Sequence, residues 1–426
     1  MRKKKLKYIA MMLSLCMMSS SQAFATSLSI DEAISLAISQ NNSIRIAQTE
    51  EQSARANLKS AKGATGFSVS LGSSLSANDG ADSQFSRGNS NSISASIPIY
   101  TGRKNELTID NRQVDLVKAQ LNIEREKEIV KYNTIKAYFD ILQAQENINI
   151  DQESVDNYQK HLTDTNNLYS AGSIPRSDVL RSEVALSDAK QSLISAENTL
   201  QINLSSFRNI IKVNKDESIN LTDRFTYKPF KMGLEECLDY AFAMRKDMES
   251  AKLDLDIAKN DIEIAKAGYL PTVNFSISTS WDRQPLPSNN DYDYGANVSA
   301  NWNVFDNNVT KANIEAAQAN YDKVSYTLSD TADDIDLEVR QAYLNMREAE
   351  KRFNSTQLAI KKAEEDYFIA SEKYRVGAGV ILDVIDAEYA LSQARLNYAN
   401  AQYDYARYRA NLEYAMGVPE GESVDG

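Results

Sequence analysis

Asn91-Ser-Ile-Ser-Ala-Ser-Ile-Pro-Ile99 alternates without a break, placing Ile93, Ala95, Ile97 and Ile99 on one side of an extended chain and Ser92, Ser94 and Ser96 on the other. Successive side chains of a strand point to opposite faces, so this segment reads as a strand with one greasy face and one uncharged polar face. Upstream, Phe67, Val69, Leu71 and Leu75 alternate with Ser68, Ser70, Gly72 and Ser74. Two later segments repeat the pattern. Val273, Phe275, Ile277 and Trp281 oppose Thr272, Asn274, Ser276 and Ser278; Tyr294, Val298, Trp302 and Val304 oppose Asn297, Ser299, Asn301 and Asn303. Strands are therefore expected at about 66–78, 91–101, 271–282 and 293–305. One such strand alone would suit a half-buried sheet in a soluble protein. Four of them, in two pairs behind a secretion signal, describe a lipid-facing wall around a watery lumen. Four strands cannot close a barrel, since about eight is the smallest number that does, so several chains must share one. Trp281, Tyr294 and Trp302 fall on the greasy face, where interfacial aromatics anchor a barrel.

The strand pairs recur because the chain is written twice. At an offset of 204 to 205 residues, Ile30-Asp-Glu-Ala-Ile-Ser-Leu-Ala37 lies over Leu234-Glu-Glu-Cys-Leu-Asp-Tyr-Ala241, and Tyr169, Gly172, Asp178 and Glu183 fall on Tyr374, Gly377, Asp383 and Glu388. Each copy reads helix, two strands, long helix, turn, helix. The first copy spans 26–211 and the second 232–416, with 212–231 as the joint and 417–426 as a tail. In the first copy the long helix is expected at about 103–169 and the helix after it at 175–211; in the second, at 307–374 and 380–416. Apolar or small residues hold a four-three spacing from Leu328 through Val339, Met346 and Phe353 to Tyr374. A seven-residue repeat sustained that long needs partner helices in a supercoil. At ~1.5 Å per residue each long helix is roughly 100 Å, too long to bury itself in one compact core.

Residues 1–25 carry five basic residues, an apolar run and Ala23-Phe24-Ala25, the form of a secretory signal peptide cleaved after Ala25. Cys16 lies inside the apolar run behind Leu15, which does not suit a lipoprotein anchor. Losing the five basic residues takes the formal net charge from −12 to −17, which makes the mature chain a poor partner for nucleic acid. Only Cys237 then remains, so no intrachain disulfide or thiolate metal cluster is expected, and His161 is the sole histidine. His161 reads as a solvated helix residue and Cys237, aligned with Ala33, as a small core residue. Gly377-Ala-Gly379 follows a helix and lacks a third glycine, and no Walker A loop or Gly-x-Ser-x-Gly elbow occurs. No catalytic site, metal or cofactor is expected.

The hairpin Tyr374-Arg-Val-Gly-Ala-Gly-Val-Ile-Leu-Asp383-Val-Ile-Asp386-Ala-Glu388, with the duplication around it, resembles the TolC family of outer-membrane efflux and secretion ducts. The resemblance implies an α+β membrane protein: a homotrimer with a twelve-stranded β-barrel, four strands per chain, continued by a periplasmic helical tube. Residues 212–231 and the C-terminus would supply a belt around the tube. It also implies a passive outlet, set in outer-membrane lipid, for an inner-membrane pump joined through a periplasmic adaptor protein, in small-molecule efflux or type I secretion. By position, Asp383 and Asp386 match gate carboxylates at the narrow periplasmic end, and Tyr374 and Asp178 match residues that hold the tip closed. Val376, Gly377 and Ala378, with Ala171, Gly172 and Ser173, match the hairpin tips that receive the adaptor. Two departures stand out. Gly379 replaces the arginine that completes the closing link in other members, a role Arg176 could take over, and the first strand lacks the Pro-Thr-Val opening of Pro271-Thr272-Val273.

Plainer readings exist for several of these residues. Gly172 and Gly377 suit ordinary helix C-caps, and Asp178 and Asp383 lie in first helical turns where carboxylates meet the helix dipole. The competing function for the whole chain is a trimeric coiled-coil spacer or adhesin without transport, which bilayer conductance separates from a duct.

Overall fold

The computed structural model describes residues 26–80, 83–214, 218–282, 292–419 and 421; the expected signal peptide lies outside them. The order is β1 (Thr26–Leu28), α1 (Ile30–Gln40), α2 (Asn42–Ala64), β2 (Ser68–Gly80), β3 (Ser83–Tyr100), α3 (Lys104–Ser170) and α4 (Arg176–Ile211). After the joint come β4 (Ile219–Leu221), α5 (Leu234–Met244), α6 (Lys246–Lys266), β5 (Thr272–Asp282), β6 (Tyr292–Asn301), α7 (Val309–Arg375) and α8 (Ile381–Ala415). The chain divides into two units, and α3 and α7 contribute residues to both.

One unit, residues 42–129, 231–342 and 412–426, holds the antiparallel sheet β2-β3-β5-β6. Its register aligns the greasy residues of all four strands. Leu71 pairs with Ile93, Ile93 with Thr279 and Thr279 with Tyr294, while Val69, Ala95, Ile277 and Ala296 form the next row. The opposite face is a serine wall: Ser68 meets Ser96 at 3.0 Å and Ser70 meets Ser94 at 2.7 Å through their hydroxyls. Gly72 belongs to that wall because a Cβ there would lie 2.9 Å from Ser92 Oγ. The greasy face is exposed, Leu75 at 85 %. Among the described residues β2 and β6 have no second partner strand, so both sheet edges are open.

Three expectations change here. β3 begins at Ser83 rather than 91, because ladder pairing with β2 extends through a polar run that carries no alternation. β6 ends at Asn301, not 305: Trp302 Nε1 donates to Tyr269 O at 3.0 Å, and the chain turns through positive φ at Asn307 and Asn308. Each expected first helix is two helices, broken at Asn41 and Arg245, which share an extended conformation (φ −66° in both).

Those breaks are one sign that the two halves share backbone detail. Ser29 and Gly233 cap their helices at φ −77°, each with its amide bonded to a Glu three residues on. Gly102 and Arg103 take the same left-handed turn between strand and helix as Asn307 and Asn308. At 245 the break has a further cause. The buried Arg245 guanidinium holds Asp247 at 2.5 Å, Glu338 at 2.5 Å and the carbonyl of Ala415 at 2.9 Å, fixing the end of α8.

The other unit, residues 1–41, 130–230 and 343–411, is helical apart from the parallel pair β1–β4. Tyr138, fully buried, donates to Leu28 O at 3.0 Å and packs edge-on against Phe207. The heptad positions Val179, Ser182, Leu186 and Ala189 of α4 and Val384, Ala387, Leu391 and Ala401 of α8 are buried. A second set is not: Leu180, Val184, Ile194 and Ile202 on α4, and Leu344 and Leu358 on α7, remain exposed.

Candidate channel tip and helix seam

Both helical hairpins turn the same way. Ser173 N bonds Leu168 O at 2.9 Å and Gly172 N bonds Tyr169 O at 2.9 Å; Ala378 N bonds Lys373 O at 2.8 Å and Gly377 N bonds Tyr374 O at 3.0 Å. This double bond closes a helix on a left-handed residue, and Gly172 and Gly377 stand at φ 73° and 76°. The capping role of these glycines is thus real. In addition, a Cβ at either would meet nothing within 4 Å, and Ala171, Ser173, Val376 and Ala378 are exposed beside them. Gly379 differs. A Cβ there would lie 3.1 Å from Lys373 Cβ and 3.1 Å from Tyr374 N, a tight fit that a side chain could take only if the turn gave by a few tenths of an ångström.

Tyr374, 6 % exposed, reaches back to Thr165 Oγ1 of α3 at 3.5 Å, and Thr165 contacts Ser182 of α4 at 3.3 Å. Burial, then the nearby carboxylates of Asp178 and Asp164, raise the Tyr374 phenol above its ordinary pKa, so it stays a hydrogen-bond donor. Asp178 is half-buried in the first turn of α4. Asp383, in the first turn of α8, and Asp386, one turn on, are both exposed.

Sequence reasoning missed the polar seam between α3 and α8. Asp140 bonds Arg407 at 2.7 Å, Gln143 bonds Asn400, Glu153 bonds Arg395 at 2.7 Å, and Asn157 Nδ2 donates to Glu388 at 3.1 Å. Residue numbers rise on α3 as they fall on α8, the pairing of antiparallel helices. Arg395 also holds Glu364 of α7 at 3.1 Å, tying three helices together. Glu388 is 2 % exposed, and burial pushes its carboxyl above the usual range. His161 is a correction: it is 5 % exposed, not solvated, and its Nε2 lies 2.9 Å from Tyr367 OH. Burial lowers the imidazole pKa and raises that of Tyr367 to about 12. Cys237 is fully buried, as a small core residue would be.

Of the aromatics expected at the membrane interface, Tyr294 is exposed on the greasy face. Trp281 is buried, in the row with Asn91 and Tyr292. Trp302 is exposed but stands beyond the end of β6. No helix of the described residues is long and apolar enough to cross a membrane.

A protein-family model described as outer membrane efflux protein matches residues 33–211 and again 238–418. The chain belongs to the outer membrane efflux protein family. The two matched stretches fall on the two copies of the duplication. Outer membrane protein TolC of Salmonella enteritidis is 22 % identical over 363 residues, covering 80 % of this chain and 73 % of that protein. Alkaline protease secretion protein AprF of Pseudomonas aeruginosa is 21 % identical over 290 residues, covering 67 % of this chain and 60 % of its own length. In fold, the chain matches the Campylobacter jejuni CmeC outer membrane channel with a TM-score of 0.82 at 17 % identity, over 92 % of this chain and 87 % of that one. The family and these neighbours are channels rather than enzymes. The protein is accordingly an outer-membrane efflux channel with a periplasmic extension, a passive exit route that does no chemistry on its cargo.

Proposed function

We propose that three copies assemble into one duct, twelve strands closing a barrel in the outer membrane and the helices forming a periplasmic tube. The observation that carries this is the sheet: four strands with one mostly apolar and one serine-lined face, and, among the described residues, two open edges. Open edges of that kind attract further strands, and closure is the stable solution in lipid. The exposed heptad rows on α4 and α7 are the faces on which neighbouring copies would pack.

The residue roles belong to the same proposal. Asp383 and Asp386 form the periplasmic gate, Tyr374 and Asp178 steady the closed tip, and Gly172 and Gly377 leave the tips bare for a periplasmic adaptor that links the duct to an inner-membrane pump. Arg176 is exposed beside the tip and would take the closing role for which Gly379 has no side chain. β4, within the 212–231 joint, pairs with β1 as the start of a belt. The family match supports efflux, and the similarity to an alkaline protease secretion protein supports protein secretion as a second use of the same duct.

The test is mass measurement in mild detergent together with conductance in a planar bilayer. A trimer that conducts ions is expected. A stable monomer, or a trimer that never conducts, overturns the duct and favours an envelope spacer.

A further inference from the structure

In the helical unit, α3, α4 and α8 surround a cavity of about 700 Å³. Two of its lining groups lack partners. Asp151 on α3 is 9 % exposed, yet among the described residues its carboxylate makes no hydrogen bond or ion pair, and burial raises its pKa. One helical turn earlier, the buried Asn147 Oδ1 accepts no hydrogen bond. A buried acceptor without a donor is unfavourable; Asn147 Oδ1 is one, and the Asp151 carboxylate beside it faces the same space without a partner.

The remainder of the wall shows what would satisfy them. Asp188 of α4 and Asp386 of α8 add carboxylates, the rings of Tyr158 and Tyr389 add apolar surface, and no described lining residue is Lys or Arg. A guest must therefore be positive and must donate hydrogen bonds. A bare metal ion does not fit this chemistry, because no three ligating side chains among the described residues converge on one point. The volume is that of a small-organic-molecule site, on the order of 300–1,000 Å³. An ammonium group offers three N–H donors, and an aromatic body suits the two tyrosine rings.

We propose that this cavity is a transit site for organic ammonium ions carrying an aromatic body, with the ammonium held by Asp151 and Asn147 Oδ1. It deepens the efflux reading by naming a cargo class, and rests on that reading for its biological role, though the binding itself can be measured alone. The apolar row Leu180, Val184 and Ile202 of α4 is separate from the residues of that helix that line the cavity, so packing between copies would leave the site open.

The experiment titrates the detergent-purified full chain with dansylcadaverine, a fluorescent primary amine, and with its N-acetyl derivative, which keeps the ring and loses the charge. Saturable binding of the amine is expected, with the acetylated form about tenfold weaker. Asp151→Asn should weaken the amine about tenfold, and the exposed Asp188→Asn about two- to threefold, the latter keeping the test alive if the buried variant misfolds. Equal binding of amine and acetylated probe, or wild-type affinity in Asp151→Asn or Asp188→Asn, overturns the site. Bilayer conductance of the same preparation keeps the two ideas apart: a conducting protein that ignores the amine defeats only the transit site, and a non-conducting one that binds it defeats only the duct.

Discussion

Replacing Gly377 with leucine separates backbone strain from docking. The residue sits at φ 76° and closes α7 through the bonds from Gly377 N and Ala378 N. A branched side chain in the left-handed region costs about 1–2 kcal/mol. Nothing lies within 4 Å of the Cβ position, so no steric term adds to it. The loss is small for a chain with several polar links along α3 and α8, and should lower Tm by only a few degrees. Trimer mass and bilayer conductance should match wild type. Export should nonetheless fail, because the new side chain fills the bare tip. Gly377→Asn is the matched control for strain, since Asn tolerates this backbone better while still filling the tip, and it should also lose export. The assay is drug susceptibility of cells carrying each variant at native level, beside the detergent mass and a thermal melt. Normal resistance in Gly377→Leu would refute the docking assignment, and a collapsed trimer would refute the strain estimate. Gly379→Ala should behave in the opposite way. Its Cβ would lie 3.1 Å from backbone and side-chain atoms of the turn, so the cost falls on small adjustments within the hairpin and not on the bare tip.

Alanine at both Asp383 and Asp386 should abolish cation preference and divalent block from the periplasmic side in bilayers, because carboxylates gathered by symmetry attract cations; unchanged selectivity would sink the gate. Glu388→Gln should change the pH profile of stability. The folded carboxyl titrates above its unfolded value, so its contribution is fully present below the unfolded pKa of 4.5 and lost as pH rises through the folded one. Glutamine should raise Tm at pH 7 and remove the acid-side gain, while the lowered pKa of His161 still erodes stability as pH falls below about 6.5; identical Tm curves for variant and wild type would contradict the burial argument. Arg245→Met removes four hydrogen bonds, to three partners, from a buried guanidinium. Its carboxylate partners keep access to water, so about 1.5–3 kcal/mol is expected, measured by denaturant unfolding, and no loss would mean the end of α8 is held by packing alone.

The duplication, the four alternating strands and the long heptad helices were legible because each is a local or periodic property. Strand faces follow a period of two and helix faces a period near 3.5, and neither needs knowledge of what packs where. The family was legible in the hairpin around Gly377 for the same reason: turn chemistry is local. The α3–α8 seam was not, since Asp140 and Arg407 stand 267 residues apart and nothing in either segment announces the other. The burial of His161 was hidden likewise. Lys160 and Asp164 lie near it in sequence, and only the fold brings Tyr367 of α7 against it in a buried site where burial lowers its pKa. The face Trp281 takes was legible from its parity in the strand, but its burial was not, because parity names a face and not the cover over it. The same holds for Asp151: an acidic residue on a helix reads as solvated until three helices converge and leave it facing a cavity without a partner.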